Sequence, residues 1–126
     1  MAMSHQTTNK IMYWNCNGIS GKRHHLELLL EQHKPLVFAI VETKIISSIS
    51  DKEVCCGYTL YRRDRQNAKG RGGGILVGIL DTSNIKVAKV VSSNLGEILT
   101  LDLSRYPRWH LQLHFYRLLL IIIIYY

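Results

Sequence analysis

One uncharged run, residues 36–41 (LVFAIV), constrains the fold most, because it ends abruptly in an acid, Glu42, followed by Thr43 and Lys44. A run of that kind is typical of a strand buried on both faces. A carboxylate at the point where such a strand leaves the core lies at the rim of a sheet, partly desolvated and rigidly held. Oxygen ligands suit Mg²⁺ or Mn²⁺. An acid that is merely solvated at the end of the strand would occupy the same position. This stretch alone therefore does not distinguish a metal ligand from a solvated strand end.

The segments before this run predict a strand, a helix and a second strand. Residues 11–16 (IMYWNC) favour a strand, which ends in a turn that begins at Asn17. Residues 22–33 carry apolar side chains at helical spacing and predict an amphipathic helix ended by Pro35. Such a unit is normally a right-handed crossover that lays its two strands parallel. We therefore expect Asn17 and Glu42 to leave the sheet at the same edge.

The rest of the chain predicts antiparallel strands. Ser50 has the spacing of a capping box and opens a short helical turn. Residues 58–62 and 75–80 favour a hairpin with a basic, glycine-rich connection. Further strands are predicted where apolar and polar residues alternate, at 85–91, at 97–103 and from Trp109 onward. The sequence therefore predicts a mixed α/β fold in which a crossover is followed by an antiparallel meander.

The charge of the chain favours a polyanionic partner. Sixteen basic residues against nine acidic ones give a net charge of +7, which suits nucleic acid or anionic lipid headgroups. Five basic residues cluster beside the glycine-rich connection: Arg62, Arg63, Arg65, Lys69 and Arg71. A solvated loop and a phosphate-contacting loop both fit this cluster, and only salt dependence of binding separates them. The glycines themselves match neither a P-loop nor a dinucleotide fingerprint and indicate hairpin geometry.

Three further features bound the class of protein. The three cysteines form no CxxC pair and predict reduced thiols in an intracellular compartment. The apolar run 118–126 has nine residues, fewer than the ~20 that a membrane-spanning helix needs, so we expect no membrane span. Residues 1–10 lack the apolar core of a signal peptide and are expected to form a mobile lead-in.

Four segments then form an ordered series. They are NCNG at residues 15–18, ETK at 42–44, YRRDR…GRGGGI at 61–75 and FYR at 115–117. This series resembles the start of the endonuclease/exonuclease/phosphatase family, and within it the apurinic-type endonuclease domain of non-LTR (LINE-like) retrotransposons. The resemblance covers residues 11–117.

The resemblance implies the amino-terminal half of a four-layered α/β sandwich, from a nuclear protein that cleaves DNA phosphodiesters with Mg²⁺ or Mn²⁺. By matching motif positions, Glu42 would be the metal-binding acid, Asn17 would lie in the metal and phosphate site, and Tyr116 would contact the scissile phosphate. A metal held by a carboxylate acts as a Lewis acid, and neutral hydrogen-bonding groups orient a phosphate without repelling it. The expected DNA contacts are Arg63, Arg65, Lys69 and Arg71.

The departures from the family shape the remaining expectations. Residues 118–126 replace the prolines that usually follow the tyrosine, and the later Asp/Asn and Asp-His motifs have no counterpart. We therefore expect a truncated domain, separated from its second half and from any reverse transcriptase, with an apolar tail at 118–126. Without a recognisable group to orient the attacking water, little nicking is expected. Two alternatives stay open: an inactive remnant that binds nucleic acid, and a phosphodiesterase or phosphatase acting on a lipid or small substrate.

Overall fold

The computed structural model describes residues 10–64, 73–93, 98–105, 109–116 and 119–125, which form two four-stranded sheets and two short helices. Sheet A contains β1 (Ile11–Asn15), β2 (Val37–Val41), β3 (Tyr58–Arg63) and β4 (Ile75–Leu80). Sheet B contains β5 (Lys86–Ser93), β6 (Ile98–Arg105), β7 (Trp109–Tyr116) and β8 (Leu119–Tyr125). The helices are α1 (Arg23–His33), preceded by a 3₁₀ turn at Ser20–Lys22, and α2 (Asp51–Val54).

The first three elements form the predicted crossover. β1 and β2 pair in parallel, as expected. The helix α1 buries Leu26 and Leu30, which stand one turn apart on one face. It ends at His33 because Lys34 adopts a left-handed conformation and donates its N–H to the Leu30 carbonyl at 2.9 Å. Pro35 follows and cannot continue the helix.

β2 lies in the centre of the molecule and is buried along its whole length. Its side chains alternate between two cores, which explains why the run carries no charge. Val37, Ala39 and Val41 belong to the core between the two sheets. Phe38 and Ile40 belong to the core between sheet A and the helices. The described residues thus form three layers, in the order helices, sheet A and sheet B.

β4 lies between β2 and β3, giving the strand order β1-β2-β4-β3. The hairpin of β3 and β4 is confirmed, because these strands pair antiparallel. β4 also pairs antiparallel with β2, and Val41 stands opposite Ile75. The chain segment that enters β4 therefore lies directly beside the segment that leaves β2.

Sheet B is an antiparallel meander in the order β5-β6-β7-β8. Four leucines close the core against sheet A: Leu99, Leu101, Leu103 and Leu113. Thr100, Asp102, Gln112 and His114 alternate with them and are half-buried, as the alternation in sequence predicts. The predicted tail includes β8, which pairs with β7 and so extends sheet B. No helix in the described part of the chain is long and apolar enough to cross a membrane.

Candidate functional site

Three chain segments meet at one edge of sheet A: residues 16–18 after β1, residues 42–44 after β2 and residues 73–74 before β4. We call these eight residues the loop cluster. The N–H of Gly18 donates to the Glu42 carbonyl at 2.7 Å, and the N–H of Lys44 donates to the Gly73 carbonyl at 2.8 Å. The N–H of Thr43 donates to the Gly74 carbonyl at 3.2 Å. Backbone hydrogen bonds therefore fix all three segments to one another.

Backbone strain concentrates in the loop cluster. Of the five non-glycine residues with positive φ in the described chain, three lie here: Asn17 at 51°, Glu42 at 57° and Lys44 at 57°. Gly18, Gly73 and Gly74 also have positive φ. Such conformations cost of order 1 kcal/mol or more for ordinary residues and gather at functional sites, where surrounding contacts hold them. The cluster is therefore the strongest candidate for a site.

Glu42 supplies the negative charge of the cluster. It is half-buried, and its Oε2 accepts a hydrogen bond from the N–H of Gly73 at 3.3 Å. Its charge also acts on two ionisable groups on the β1 side, Tyr13 and Cys16. Burial raises the pKa of the Tyr13 phenol and the Glu42 charge raises it further. Burial likewise dominates the raised pKa of the Cys16 thiol, with a smaller contribution from Glu42 in the same direction.

Asn17 lies at the same edge as Glu42, which confirms the predicted placement. Its side chain is exposed, and its Oδ1 accepts a hydrogen bond from Lys44 Nζ at 2.6 Å. The lysine stem reaches Asn17 by passing across Gly18, where an added Cβ would stand 3.7 Å from Lys44 Cδ. A second ammonium lies nearby, because Lys22 Nζ donates to the Cys16 carbonyl.

Whether a divalent cation could bind here depends on which side chains can act as metal ligands. Among the described residues, no three His, Cys, Asp or Glu side chains come together in a way that could hold a metal ion. Mg²⁺ is often bound by one or two carboxylates, with water and substrate phosphate completing its shell, so Glu42 alone fits that role. Asn17 does not fit as a metal ligand in this arrangement. Its Oδ1 is the only acceptor atom of the side chain, and it already accepts a hydrogen bond from the Lys44 ammonium. The predicted metal role of Asn17 is therefore not supported.

Thr43 and Gly74 form the tightest contact of the cluster. Thr43 is 1% exposed, and among the described residues its Oγ1 has no hydrogen-bond partner. A Cβ at Gly74 would stand 2.1 Å from that oxygen, and φ at Gly74 is +99°. Space and backbone conformation therefore both require glycine at this position.

Asn15 is a candidate that the sequence pattern alone does not single out. It is the last residue of β1, is exposed, and pairs with Val41, the residue immediately before Glu42. Asn15 therefore lies beside the loop cluster. The available signal was the repetition of asparagine at positions 15 and 17, because residues two apart along a strand lie on the same face.

The five clustered basic residues, four of which are the predicted DNA contacts, divide into three groups. Arg63 is 7% exposed and engaged within the protein, so its burial contradicts the prediction of an open phosphate contact. Arg62 forms ion pairs with Asp51 at 2.9 Å and Asp64 at 2.6 Å, which neutralise it. Arg65, Lys69 and Arg71 lie outside the described residues. The backbone of Tyr116 ends β7, and its side chain also lies outside what the structure describes.

Comparison with solved structures identifies a neighbour of similar fold. No protein-family model and no curated protein matches this sequence. The crystal structure of an AP endonuclease from Leishmania major superposes with a TM-score of 0.59 at 22% sequence identity, covering 81% of this chain. The matched part is 38% of the neighbour's length. The chain therefore has an AP endonuclease-like α/β fold.

Proposed function

We propose that this chain provides the amino-terminal elements of a divalent-metal-dependent DNA endonuclease of the retrotransposon type. The fold supports this proposal, since the solved neighbour is by name an AP endonuclease. One observation carries it: the loop cluster holds Glu42 together with the Asn17 amide and the Lys44 ammonium in a strained, hydrogen-bonded frame. The proposal includes an intracellular, nuclear location, where such an enzyme meets its substrate.

Each residue has a distinct task in this proposal. Glu42 would hold Mg²⁺ or Mn²⁺, and the bound cation supplies Lewis-acid chemistry at a phosphoryl oxygen. The Asn17 amide orients the phosphate without electrostatic repulsion. Tyr116 contacts the scissile phosphate, and Arg65, Lys69 and Arg71 contact the DNA backbone. Gly73 keeps the carboxylate of Glu42 in place through its backbone N–H.

A second function, nucleic-acid binding without hydrolysis, is favoured by the composition of the loop cluster. Glu42 is its one acidic residue. Hydrolysis also needs a group that orients the attacking water, and losing a positioned acid or base lowers the rate by ~10² to 10⁴. We therefore expect this chain to cleave nucleic acid slowly and to act mainly by binding it.

The test is nicking of supercoiled plasmid by the 126-residue chain in Mg²⁺, with the variant Glu42→Gln and the matched control Glu27→Gln. Glu27 is an exposed carboxylate on α1, outside the loop cluster. The endonuclease proposal expects slow Mg²⁺-dependent nicking that Glu27→Gln retains and Glu42→Gln loses. Salt-dependent DNA binding with no nicking in any variant would favour the second function. Nicking that survives Glu42→Gln would contradict both the site and the proposal.

A further inference from the structure

The bond between Lys44 and Asn17 has a consequence for what the loop cluster binds. We propose that Lys44 and Asn17 together bind a phosphodiester directly, without a metal, and that Lys44 keeps any divalent cation on Glu42 alone. This deepens the proposed function and rests on it, because it assigns the substrate phosphate and the cation to different residues of one site.

Lys44 is held in position at both ends. Its backbone adopts a φ of 57° and its N–H is bonded to the Gly73 carbonyl at 2.8 Å. Its stem lies across Gly18, and its Nζ is 2.6 Å from Asn17 Oδ1. A lysine normally loses much rotamer entropy when it binds a ligand. Here part of that loss has already occurred on folding, so the ammonium is preorganised.

The pair presents hydrogen-bond donors. An ammonium has three N–H donors and no acceptor, and one of them is used by Asn17 Oδ1. The remaining polar atom of Asn17 is its Nδ2, which carries two donors and, among the described residues, bonds to no protein group. Ammonium and amide donors side by side complement phosphate oxygens, and the bond from the ammonium is charge-assisted.

The local charge favours an anion over a second cation. Lys44 forms no ion pair with any carboxylate of the described residues, so its charge acts on the site without a close partner. The Lys22 ammonium lies on the Cys16 carbonyl, one residue from Asn17. Two ammonium groups therefore donate to residues of the loop cluster, Cys16 and Asn17, and Glu42 is the one carboxylate of that cluster. Because a cation beside Asn17 would be repelled by Lys44, the geometry assigns the metal to the Glu42 side of the cluster.

The first arm of the test measures phosphodiester binding in EDTA. The probe is the dinucleotide thymidylyl-thymidine, titrated into the full ¹⁵N-labelled chain and followed by amide shifts. Lys44→Met and Asn17→Ala are each expected to weaken binding by roughly fivefold or more, as loss of a charge-assisted bond implies. Lys52→Met, at an exposed lysine on α2, is the matched control and should bind as wild type does.

The second arm measures Mn²⁺ binding by electron paramagnetic resonance, without substrate. Removing a positive charge near the cation should strengthen binding, so Lys44→Met is expected to lower the Mn²⁺ Kd by roughly tenfold. Lys52→Met should leave the Kd unchanged. Lys44→Gln, which keeps a polar but uncharged end group on a shorter side chain, replaces Lys44→Met if the latter fails to fold by circular dichroism.

The two arms separate this inference from the proposed function. If neither Lys44 variant changes the dinucleotide or Mn²⁺ affinity, Lys44 has no such role, while Glu42 can still be the metal ligand. If Glu42→Gln binds Mn²⁺ as wild type does, the proposed metal-dependent function fails. In that case a dinucleotide affinity that still depends on Lys44 would support a metal-independent phosphate site.

Discussion

At the scale of single residues, Glu42 combines a proposed role as metal ligand with a conformational cost. Its φ of 57° lies in a region where only glycine is unstrained, and the bonds of Gly18 and Thr43 to neighbouring segments hold it there. A residue chosen only for stability would be glycine. The presence of a carboxylate there is the sort of local conflict expected where a side chain is needed for function.

This conflict predicts opposite effects on stability and on metal binding. Glu42→Gly should raise the free energy of unfolding by ~1 kcal/mol relative to Glu42→Ala, because glycine relieves the left-handed strain and alanine does not. Both variants should lose Mn²⁺ binding. Urea denaturation measures the first difference, and equal stabilities for the two variants would show that position 42 is unstrained in solution.

Two half-buried acidic groups predict how stability depends on pH. Burial raises the pKa of the Cys55 thiol from 9.0 to about 12 and that of the Tyr58 phenol from 10.0 to about 12. In the unfolded chain both groups ionise at their ordinary values, whereas the folded chain keeps them protonated. Their contribution to stability is therefore complete below about pH 9 and is lost as the pH rises towards 12.

The melting temperature in reducing buffer should accordingly fall between pH 8 and pH 11. Cys55→Ala should make the melting temperature fall less steeply with pH. Cys56→Ala, which changes an exposed side chain, should leave most of the fall in melting temperature in place. Tyr58→Phe is a less clean probe, because it also removes the hydrogen bond from the phenol to the Pro35 carbonyl at 2.8 Å. A melting temperature constant over this range would contradict the burial of both groups.

At the scale of elements, the contact between β2 and β4 positions the site. Phe38 on β2 pairs in register with Gly78 on β4, and its ring packs edge-on against Tyr58 with centroids 4.8 Å apart. The ring occupies the space that a side chain at position 78 would need. This close packing sets the spacing of the two strands whose ends carry Glu42 and Gly74.

Gly78→Ala is therefore expected to destabilise the fold. The added Cβ would stand 2.1 Å from Phe38 Cε1, and the buried ring has little room to move. Overpacking of this kind typically costs ~1 to 3 kcal/mol. The matched control is Gly21→Ala, where an added Cβ meets nothing within 4 Å, and the change should be neutral or stabilising by under ~1 kcal/mol. Chemical denaturation that ranks the two variants equally would contradict the described packing.

A second element-scale contact fixes the segment that follows the site. Arg62 on β3 donates to the Ile49 carbonyl at 2.6 Å and to the Ile46 carbonyl at 3.3 Å, and it pairs with Asp51 and Asp64. Its planar group thus ties the chain between β2 and α2 to β3. One of the five clustered basic residues of the sequence is thereby structural.

At the scale of the whole molecule, the net charge of +7 predicts salt-dependent binding to DNA without sequence preference. The basic residues should not contribute equally. Arg65→Ala and Arg71→Ala should each lower the slope of log K against log salt by ~1, as for a lost phosphate contact. Arg63→Ala should leave the slope unchanged and lower the free energy of unfolding by ~1 to 3 kcal/mol, because Arg63 is buried and engaged within the protein.

Fluorescence anisotropy with a labelled duplex at several salt concentrations measures the slope, and thermal melting measures stability. A slope that falls for Arg63→Ala would place that side chain on the DNA. A slope unaffected by all three substitutions would assign the binding to other surfaces of the molecule.

The sequence by itself determined the elements and the faces they bury. Apolar runs and alternation are local properties, so β2, α1 and the leucine face of β6 followed directly from the order of residue types. The crossover also followed, because chain connectivity and strand twist leave one common solution. That was enough to place Asn17 and Glu42 at the same edge of a sheet.

Only the tertiary structure decided which strands became neighbours and what each charged side chain does there. Nothing in the sequence of β4 indicates that it lies against β2, because pairing between distant strands depends on packing of the whole core. This pairing brings Gly73 and Gly74 to Glu42. Arg62 and Arg63 are neighbours in a basic run and look equivalent in the sequence. In the structure Arg62 forms two ion pairs, and Arg63 is buried. The 2.6 Å contact between Lys44 and Asn17 likewise depends on a left-handed backbone that no residue pattern specifies.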